Sequence, residues 1–533
     1  MESNFALELS QIDLGIIVIY FFVVLAIGLR MSRGQESGED LFLAGRNLGW
    51  ISIGFSLFAS NISSTTLIGL VGAAYTGGLY VSNYEWMATV VLVFFVFYYV
   101  PIFIRSRITT IPEFLERRFG PASRKYFSGL TIITSVMVDT AGSLYAGAIV
   151  LNIFFPQLDL FFTCIVLAVV AGLYTAAGGL AAVVYTDVIQ AVVLLLGSTL
   201  LTYNVFAHEA INFSWETIQA GLGGDYDAMF SVVNPTHHPL NDPNLPWLGT
   251  LVGVPILGFY FWVTNQYIAQ RVLGAKDEDN ARWGALLGGL LKLPVIFIMV
   301  LPGVLAKLIF PDLTNGDQVF PTLVTQLLPV GVIGLVLAGL VAAIMSSIDS
   351  TLNSASALVT LDFVKPAKPD LTDKQVAMVG RITMGVIMVV AALWAPQIAN
   401  FQGLFAYLQE MLAYLVPPVA VLFLLGVFRP GGSGHTALAT LIGGHIASVL
   451  TFALQKAGVL PDLHFTIVAG ILFVVSGLIY MATLSWGDAK PEEEVRDLMV
   501  TAGSSPAQPG WKSYKRQSAV LMVLTAMLVI VFW

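Results

Sequence analysis

Two clusters of oxygen-bearing side chains stand inside long apolar runs, and their spacing suits the coordination of a small hard cation. The first is ISIGFSLFASNISSTTLIGLVGAAYTGG, where Ser60, Asn61, Ser63, Ser64, Thr65 and Thr66 are consecutive or nearly so. An ordinary membrane-spanning helix closes its own hydrogen bonds, so such a run marks either a lined cavity with opened backbone or a tight helix contact. The second is GLVAAIMSSIDSTLNSAS, where Ser346, Asp349, Ser350 and Asn353 recur at three and four residues and share one helical face. Hydroxyls and unwound carbonyls can replace the hydration water of a cation without burying many charges. A solvated or helix-packing stripe is the competing reading.

Asp349 and Asp187, the latter in VVYTDVIQ, are carboxylates in or beside apolar runs. A mid-membrane acid costs about 2.5 to 3.5 kcal/mol on insertion scales and is usually functional or paired. A bound cation would offset that cost, although Asp187 could equally sit at an inside interface. Lys292 lies too deep in its run to reach water along a lipid face, so it should point into the protein. Glu85, in SNYEWMA, is its expected partner or a solute ligand, as is Gln409 in AYLQEML; Glu410 reads as the exposed member of that pair. A purely structural Lys–acid tie remains the alternative. Tyr84, Trp86, Tyr260, Phe261 and Trp262 could form flat walls that stack on a sugar face or shut a site. Taken singly, each reads as packing, and only the group beside Glu85 reads as a site.

The elements that must hold these residues are transmembrane helices. The chain of 533 residues is 57% hydrophobic and 11% charged, against about a quarter charged in soluble proteins. Apolar stretches of roughly twenty residues recur along it, the length that crosses a bilayer as a helix. About fourteen such spans are expected, near residues 11–30, 50–76, 79–104, 126–154, 159–176, 183–207 and 247–268, then 283–309, 331–362, 377–396, 401–428, 434–457, 463–484 and 517–533. Lys and Arg are retained on the cytoplasmic side. With the N-terminus outside, all of the 25 basic residues except Lys292, Lys307 and Lys456 fall in inside loops. An even number of spans then puts the C-terminus outside as well. The first apolar run lacks the basic start of a cleavable signal and reads as a retained helix.

The connecting segments carry little chemistry. Residues 208–246 contain no Lys or Arg and belong outside; their Asn212-Phe213-Ser214 matches a glycosylation triplet that arises often by chance, and His237 and His238 read as surface residues. Residues 486–516 form a polar inside linker expected to be mobile. The lone Cys164 excludes an intrachain disulfide, and the net charge of −8 with no gathered basic patch argues against nucleic acid. No His/Glu or Cys/His spacing suggests a catalytic or metal centre, so an enzyme is not expected.

At these residues the chain resembles the solute:sodium symporter family, most closely its sodium/glucose cotransporter-like branch. The likeness runs over nearly the whole length and is carried by FASNISS, SNYEWMA, LYTAAGGLAAVVYTDVIQ, NQYIAQRVLGAK, MSSIDSTLNSAS and the YLQ of FAYLQEML, in order. It implies an all-α polytopic fold of the LeuT type: a five-plus-five inverted repeat with discontinuous helices and a site near mid-membrane. The units would be residues 49–207 and 247–428, with an extra helix and linker at 1–48, an outside loop at 208–246 and extra helices at 429–533. The resemblance implies a sodium site from the carbonyls of Ala59, Ile62 and Ala343 and the hydroxyls of Ser346 and Ser347. It also implies a possible second sodium site from Asp187, Ser346, Asp349 and Ser350. The Asp349 position is a hydroxyl residue in relatives with that site, so this carboxylate could strengthen it or accept a proton.

For solute binding the resemblance implies Asn61, Thr66, Tyr84, Glu85, Lys292 and Gln409, with Tyr260, Phe261 and Trp262 as gate residues. Thr66 replaces a longer polar side chain, Gly258 an Asn, Phe261 an inner-gate Tyr and Ala88 a Ser, which leaves the identity of the sugar open. The implied activity is sodium-coupled import of a neutral sugar or polyol across an energised membrane, the bacterial inner membrane being the preferred location. A sodium symporter for an amino acid, vitamin or organic acid, or an uncoupled sugar sensor of the same fold, is the alternative. A carboxylate solute would favour a buried Arg, and every Arg reads as lying in an inside loop. The oligomeric state is not legible.

Overall fold

The computed structural model describes residues 9–31, 43–154, 157–175, 180–233, 245–401, 403–500 and 508–533. Among them the regular elements are helices, and the one strand-type pairing is an isolated bridge between Leu48 and Ala275. Ten helices are long and apolar enough to cross a bilayer, and two bent pairs raise the number to 12. The shorter apolar helices Gln11–Tyr20 and Leu160–Val169 fall at the first and fifth expected spans, so each expected span has its helix. In chain order the helices include α1 (Gln11–Met31), α2 (Trp50–Asn61), α3 (Ser64–Gly77), α4 (Ser82–Ser106), α5 (Pro121–Thr134), α6 (Ala141–Phe154) and α7 (Leu180–Ala207). There follow α8 (Trp247–Phe259), α9 (Gln266–Leu273), α10 (Glu278–Lys292), α11 (Val332–Leu358), α12 (Leu404–Leu415) and α13 (Pro417–Phe428).

The second span is broken where its hydroxyls cluster. α2 stops at Asn61, Ile62 and Ser63 leave helical geometry (ψ 63° and 177°), and the chain resumes as α3 at a bend of 55°. Side chains take over the interrupted ladder: the Thr66 hydroxyl donates to the Asn61 carbonyl, and Ser63 bonds Thr65 through their hydroxyls. The amides of Thr66 and Leu67 both turn to the Ser63 carbonyl, at 3.1 and 3.0 Å. Ser and Thr offer the backbone this alternative to a helix, and a run of them makes the break local and stable.

Two further breaks were not visible as hydropathy minima. The seventh span runs as α8 into a π-helical turn at Tyr260–Thr264, then through extended Asn265 (ψ 124°) into α9. The Asn265 side chain caps the new helix by accepting from the Tyr267 amide at 3.2 Å. Breaks in the second and seventh spans are what an inverted repeat requires, because each span is the first of its unit. The eleventh span bends by 53° between α12 and α13, where Pro417 and Pro418 remove backbone donors.

Close packing holds the broken helix in place. α2 crosses α10 at glycines: a Cβ added to Gly54 would lie 2.6 Å from Leu287 Cδ2, and one on Gly284 2.6 Å from Ile53 Cγ2. Such small-residue contacts let helices approach where no hydrophobic driving force exists between them and lipid. At the start of α11, Asp13 of α1 accepts the amides of Gly331 and Gly334, each at 2.7 Å.

Two expectations are corrected here. Not every Arg lies in a loop: Arg118, Arg271 and Arg282 stand in helices and are among the largest fully buried side chains. The linker 486–516 is docked rather than free where it is described: Lys490 donates to the carbonyls of Glu116 and Arg117 at 3.0 and 2.8 Å, and Leu498 is buried. In the loop 208–246, Ser214 of the glycosylation-like triplet caps the helix Trp215–Leu222, while His237 and His238 lie outside the described residues.

Candidate functional site

The broken end of α2 meets α7, α9 and α11 at Asp187. This carboxylate is 1% exposed and accepts the hydroxyls of Ser56 (2.7 Å) and Ser60 (3.3 Å) from α2 and that of Ser346 from α11. It therefore staples the last turns of α2 to the middle of α11. The same region holds the expected cation ligands. Ala59, Ile62 and Ala343 are buried, and Ser346 and Ser347 are partly so. The Ile62 carbonyl has lost the Thr66 amide that would satisfy it in an unbroken helix, because that amide donates to Ser63. Carbonyls orphaned at a helix end together with converging hydroxyls form a donor set that suits Na+.

The expected second cation site has a different character. Asp187, Ser346 and Ser350 are indeed drawn together, but around the guanidinium of Arg271, a fully buried residue of α9. Arg271 meets Asp187 at 3.1 Å, donates through Nε to Ser56 at 2.8 Å and through Nη2 to Ser350 at 3.2 Å, and caps the Tyr267 carbonyl. The carboxylate already has its counter-charge. A second cation would face a resident positive group in a medium of low dielectric. Asp349, on the same helix, is also buried.

Beside the break lies a cavity of about 130 Å³. The second span contributes Asn61, Thr65 and Thr66 to its wall, α4 contributes Tyr84 and Glu85, the seventh-span break Tyr260, Phe261, Trp262 and Asn265, α11 Ser347 and Thr351, and α12 Phe405 and Gln409. Lys292, 1% exposed, is one layer back. Its ammonium pairs with the Glu85 carboxylate and donates to Asn61 Oδ1, both at short range. It thereby ties α10 to the last residue of α2 and to α4, and it orients two cavity side chains at once. Tyr260 is fixed by a 3.3 Å hydrogen bond between its hydroxyl and that of Thr134.

A second cavity of about 1070 Å³ adjoins the first. Tyr84 and Phe405 line both, and their rings meet edge to face at 5.0 Å. This pair is the partition between the two spaces. Gln409 faces the small cavity and the next residue, Glu410, the large one, so adjacent positions on α12 serve opposite sides.

Of the expected solute ligands, the structure puts Asn61, Thr66, Tyr84, Glu85 and Gln409 on one wall system and Lys292 behind it. Sequence reasoning missed Asp139, Arg271, Asn265 and Phe405. Asp139 was findable: it is an acid inside the fourth apolar run, subject to the same cost that drew attention to Asp187. The π-helical turn Ser135–Thr140 presents it to the cavity, and it makes no ion pair among the described residues. Arg271 carried no such signal, because the short basic helix α9 reads as a loop.

The model of the sodium:solute symporter family matches residues 41–444. The chain belongs to that family. Among relatives, this symporter is 33% identical to sodium/myo-inositol cotransporter 2 of Sus scrofa, over 91% of this chain and 78% of the relative. It is also 33% identical to sodium/glucose cotransporter 1 of Ovis aries, over 88% and 78%. In fold it is similar to the substrate-bound outward-open state of a Na+-coupled sialic acid symporter, with a TM-score of 0.78 at 21% identity over 90% of this chain and 99% of the other. The symporter thus has the LeuT-type five-plus-five architecture, with its cavity where the two broken helices meet.

Proposed function

We propose that this symporter couples the inward passage of sodium to import of a neutral sugar or polyol by alternating access. The observation that carries the proposal is the double use of one helix break. Around Ser60–Thr66, freed carbonyls and the Asp187-stapled hydroxyls face the cation side, while Asn61 and Thr66 face the cavity. Sodium held there by Ala59, Ile62, Ala343, Ser346 and Ser347 fixes the break in the form that sets Asn61 for the solute; its release inward loosens the wall. The relatives named as sodium/myo-inositol and sodium/glucose cotransporters support this reading.

Charge bookkeeping favours a neutral, hydroxyl-rich solute. Arg271 is committed to Asp187 and Lys292 to Glu85, while Glu85 and Asp139 present carboxylates to the cavity. Among the described residues, a carboxylate solute would find no cation there outside these two pairs. Hydroxyls of a sugar or polyol instead find Glu85, Gln409, Asn61 and Thr66 as partners, with Tyr84, Tyr260 and Trp262 as flat walls. Phe261 beside Trp262, their rings 5.1 Å apart, completes the lower wall.

The large cavity is bounded by segments around Thr314–Asp317, Ala399–Phe401 and Asp462–His464, which are poor in Lys and Arg. It is the outer vestibule, with both termini on that side and repeat units 49–207 and 247–428 below it. The bacterial inner membrane is the location this reading favours, and transport rather than catalysis is the activity. One charge crossing about 100 mV supplies about 2.3 kcal/mol, a roughly fifty-fold accumulation from the potential alone. The engagement of Asp187 by Arg271 favours one sodium per cycle. The test is uptake of labelled myo-inositol and glucose into reconstituted vesicles with sodium outside: replacement by choline should abolish it. Uptake indifferent to that exchange would remove the coupling.

A further inference from the structure

Asp317 is a buried carboxylate to which the coupling scheme gives no task. It is 4% exposed, occupies the short turn Gly316–Gln318 and borders the outer vestibule. Its oxygens accept the amide of Leu404 at 3.3 and 3.2 Å, and Tyr145 lines the same cavity. Leu404 is the first residue of α12, so the carboxylate sits on the unsatisfied amide end of that helix, where the dipole favours negative charge. No ion pair involves Asp317 among the described residues; the helix end supplies its compensation. Gly403, at φ +116°, makes the sharp entry that brings the Leu404 amide to it.

The turn is anchored on one side and grips on the other. A Cβ on Gly72 of α3 would lie 2.4 Å from the Gly316 carbonyl oxygen, so turn and helix are in backbone contact. On the other side α12 carries Phe405 one residue past the gripped amide and Gln409 one turn on, and its far end is the bend at Pro417. α12 is therefore a lever with a hinge at one end and Asp317 at the other, and the gate ring rides next to the gripped end.

We propose that Asp317 is a positioning residue that latches α12 with the Tyr84–Phe405 partition shut. The latch rests on the alternating-access reading. Swinging α12 outward about Pro417 withdraws the Leu404 amide from a carboxylate placed for it, so the closed partition is favoured while the latch is engaged. Loss of the carboxylate shifts the population toward an open vestibule.

The experiment uses Leu408→Cys, a cavity-lining position below the partition, in a chain whose native Cys164 is buried. The reconstituted full chain is labelled from outside with a membrane-impermeant methanethiosulfonate in sodium buffer without sugar. Adding Asp317→Ala should speed labelling about tenfold, the loss of a charge-assisted bond. Asp317→Asn keeps an acceptor oxygen but not the charge and should speed it about threefold, and it decides the matter if the alanine variant fails to fold. Rates within about twofold of the parent in the folded variants would overturn the latch. So would equal acceleration by Asp312→Ala, an exposed acid of the same loop, because that would signal general loosening. Labelling needs no transported solute, so failure of sodium-driven uptake and failure of the latch are separable results.

Discussion

The two broken helices share a backbone plan and differ in how their opened ends are satisfied. At the second-span break the opened ends are hydroxyls and freed carbonyls, and the nearest positive group, Lys292 on Asn61, comes from another span. At the seventh-span break the resumed helix itself carries the positive partner: Arg271, about one and a half turns into α9 and fully buried, bonds Asp187, Ser56 and Ser350. Symmetry fixes where backbone opens in an inverted repeat, and side-chain charge then decides whether the opening becomes an exchangeable ion site or a permanent tie. Asp187 joins the two, since it accepts from α2 and α11 while paired to α9.

The largest test of that contrast is removal of the built-in cation. Arg271→Ala leaves Asp187 buried and unmatched and should destabilise the folded symporter by about 3–5 kcal/mol, read as a lowered melting temperature in detergent. Asp187→Asn added to it should recover most of the loss. A single variant as stable as the parent would mean that solution cations already serve Asp187, and the contrast would collapse.

A second test separates the functions within the second-span region. Ser347→Ala should raise the sodium concentration for half-maximal transport by about tenfold and leave solute affinity at saturating sodium largely intact. Gln409→Ala should do the reverse, lowering solute affinity with sodium binding kept. Equal loss of both ligands in both variants would show that cation and solute sites cannot be told apart. The smallest effect is expected for Thr66→Val, which deletes the hydroxyl bond to the Asn61 carbonyl. About 1 kcal/mol should appear as a few-fold weaker sodium dependence with the fold unchanged.

Much of this was readable in one dimension. Apolar run length located the spans. The Ser-Thr run at 60–66 marked a real break because its hydroxyls compete locally with the helix ladder. The Glu85–Lys292 pairing was also foreseeable, since a cation that deep must find an acid. The break at Asn265 was less visible: one Asn at the end of an apolar run is an ordinary sequence, and the new helix is capped by that single side chain.

By itself the sequence determined the solvent, the order of the spans, and the chemistry of the second-span break. Those properties follow from composition and from bonds between near neighbours. Only the tertiary structure decided that Arg271 belongs to Asp187, 84 residues away, that Asp139 and Phe405 face one cavity, and that Lys292 stands behind its wall. Periodicity fixes which face of a helix is polar but not which helix it meets, and a buried charge is recognised only once its distant partner is in place.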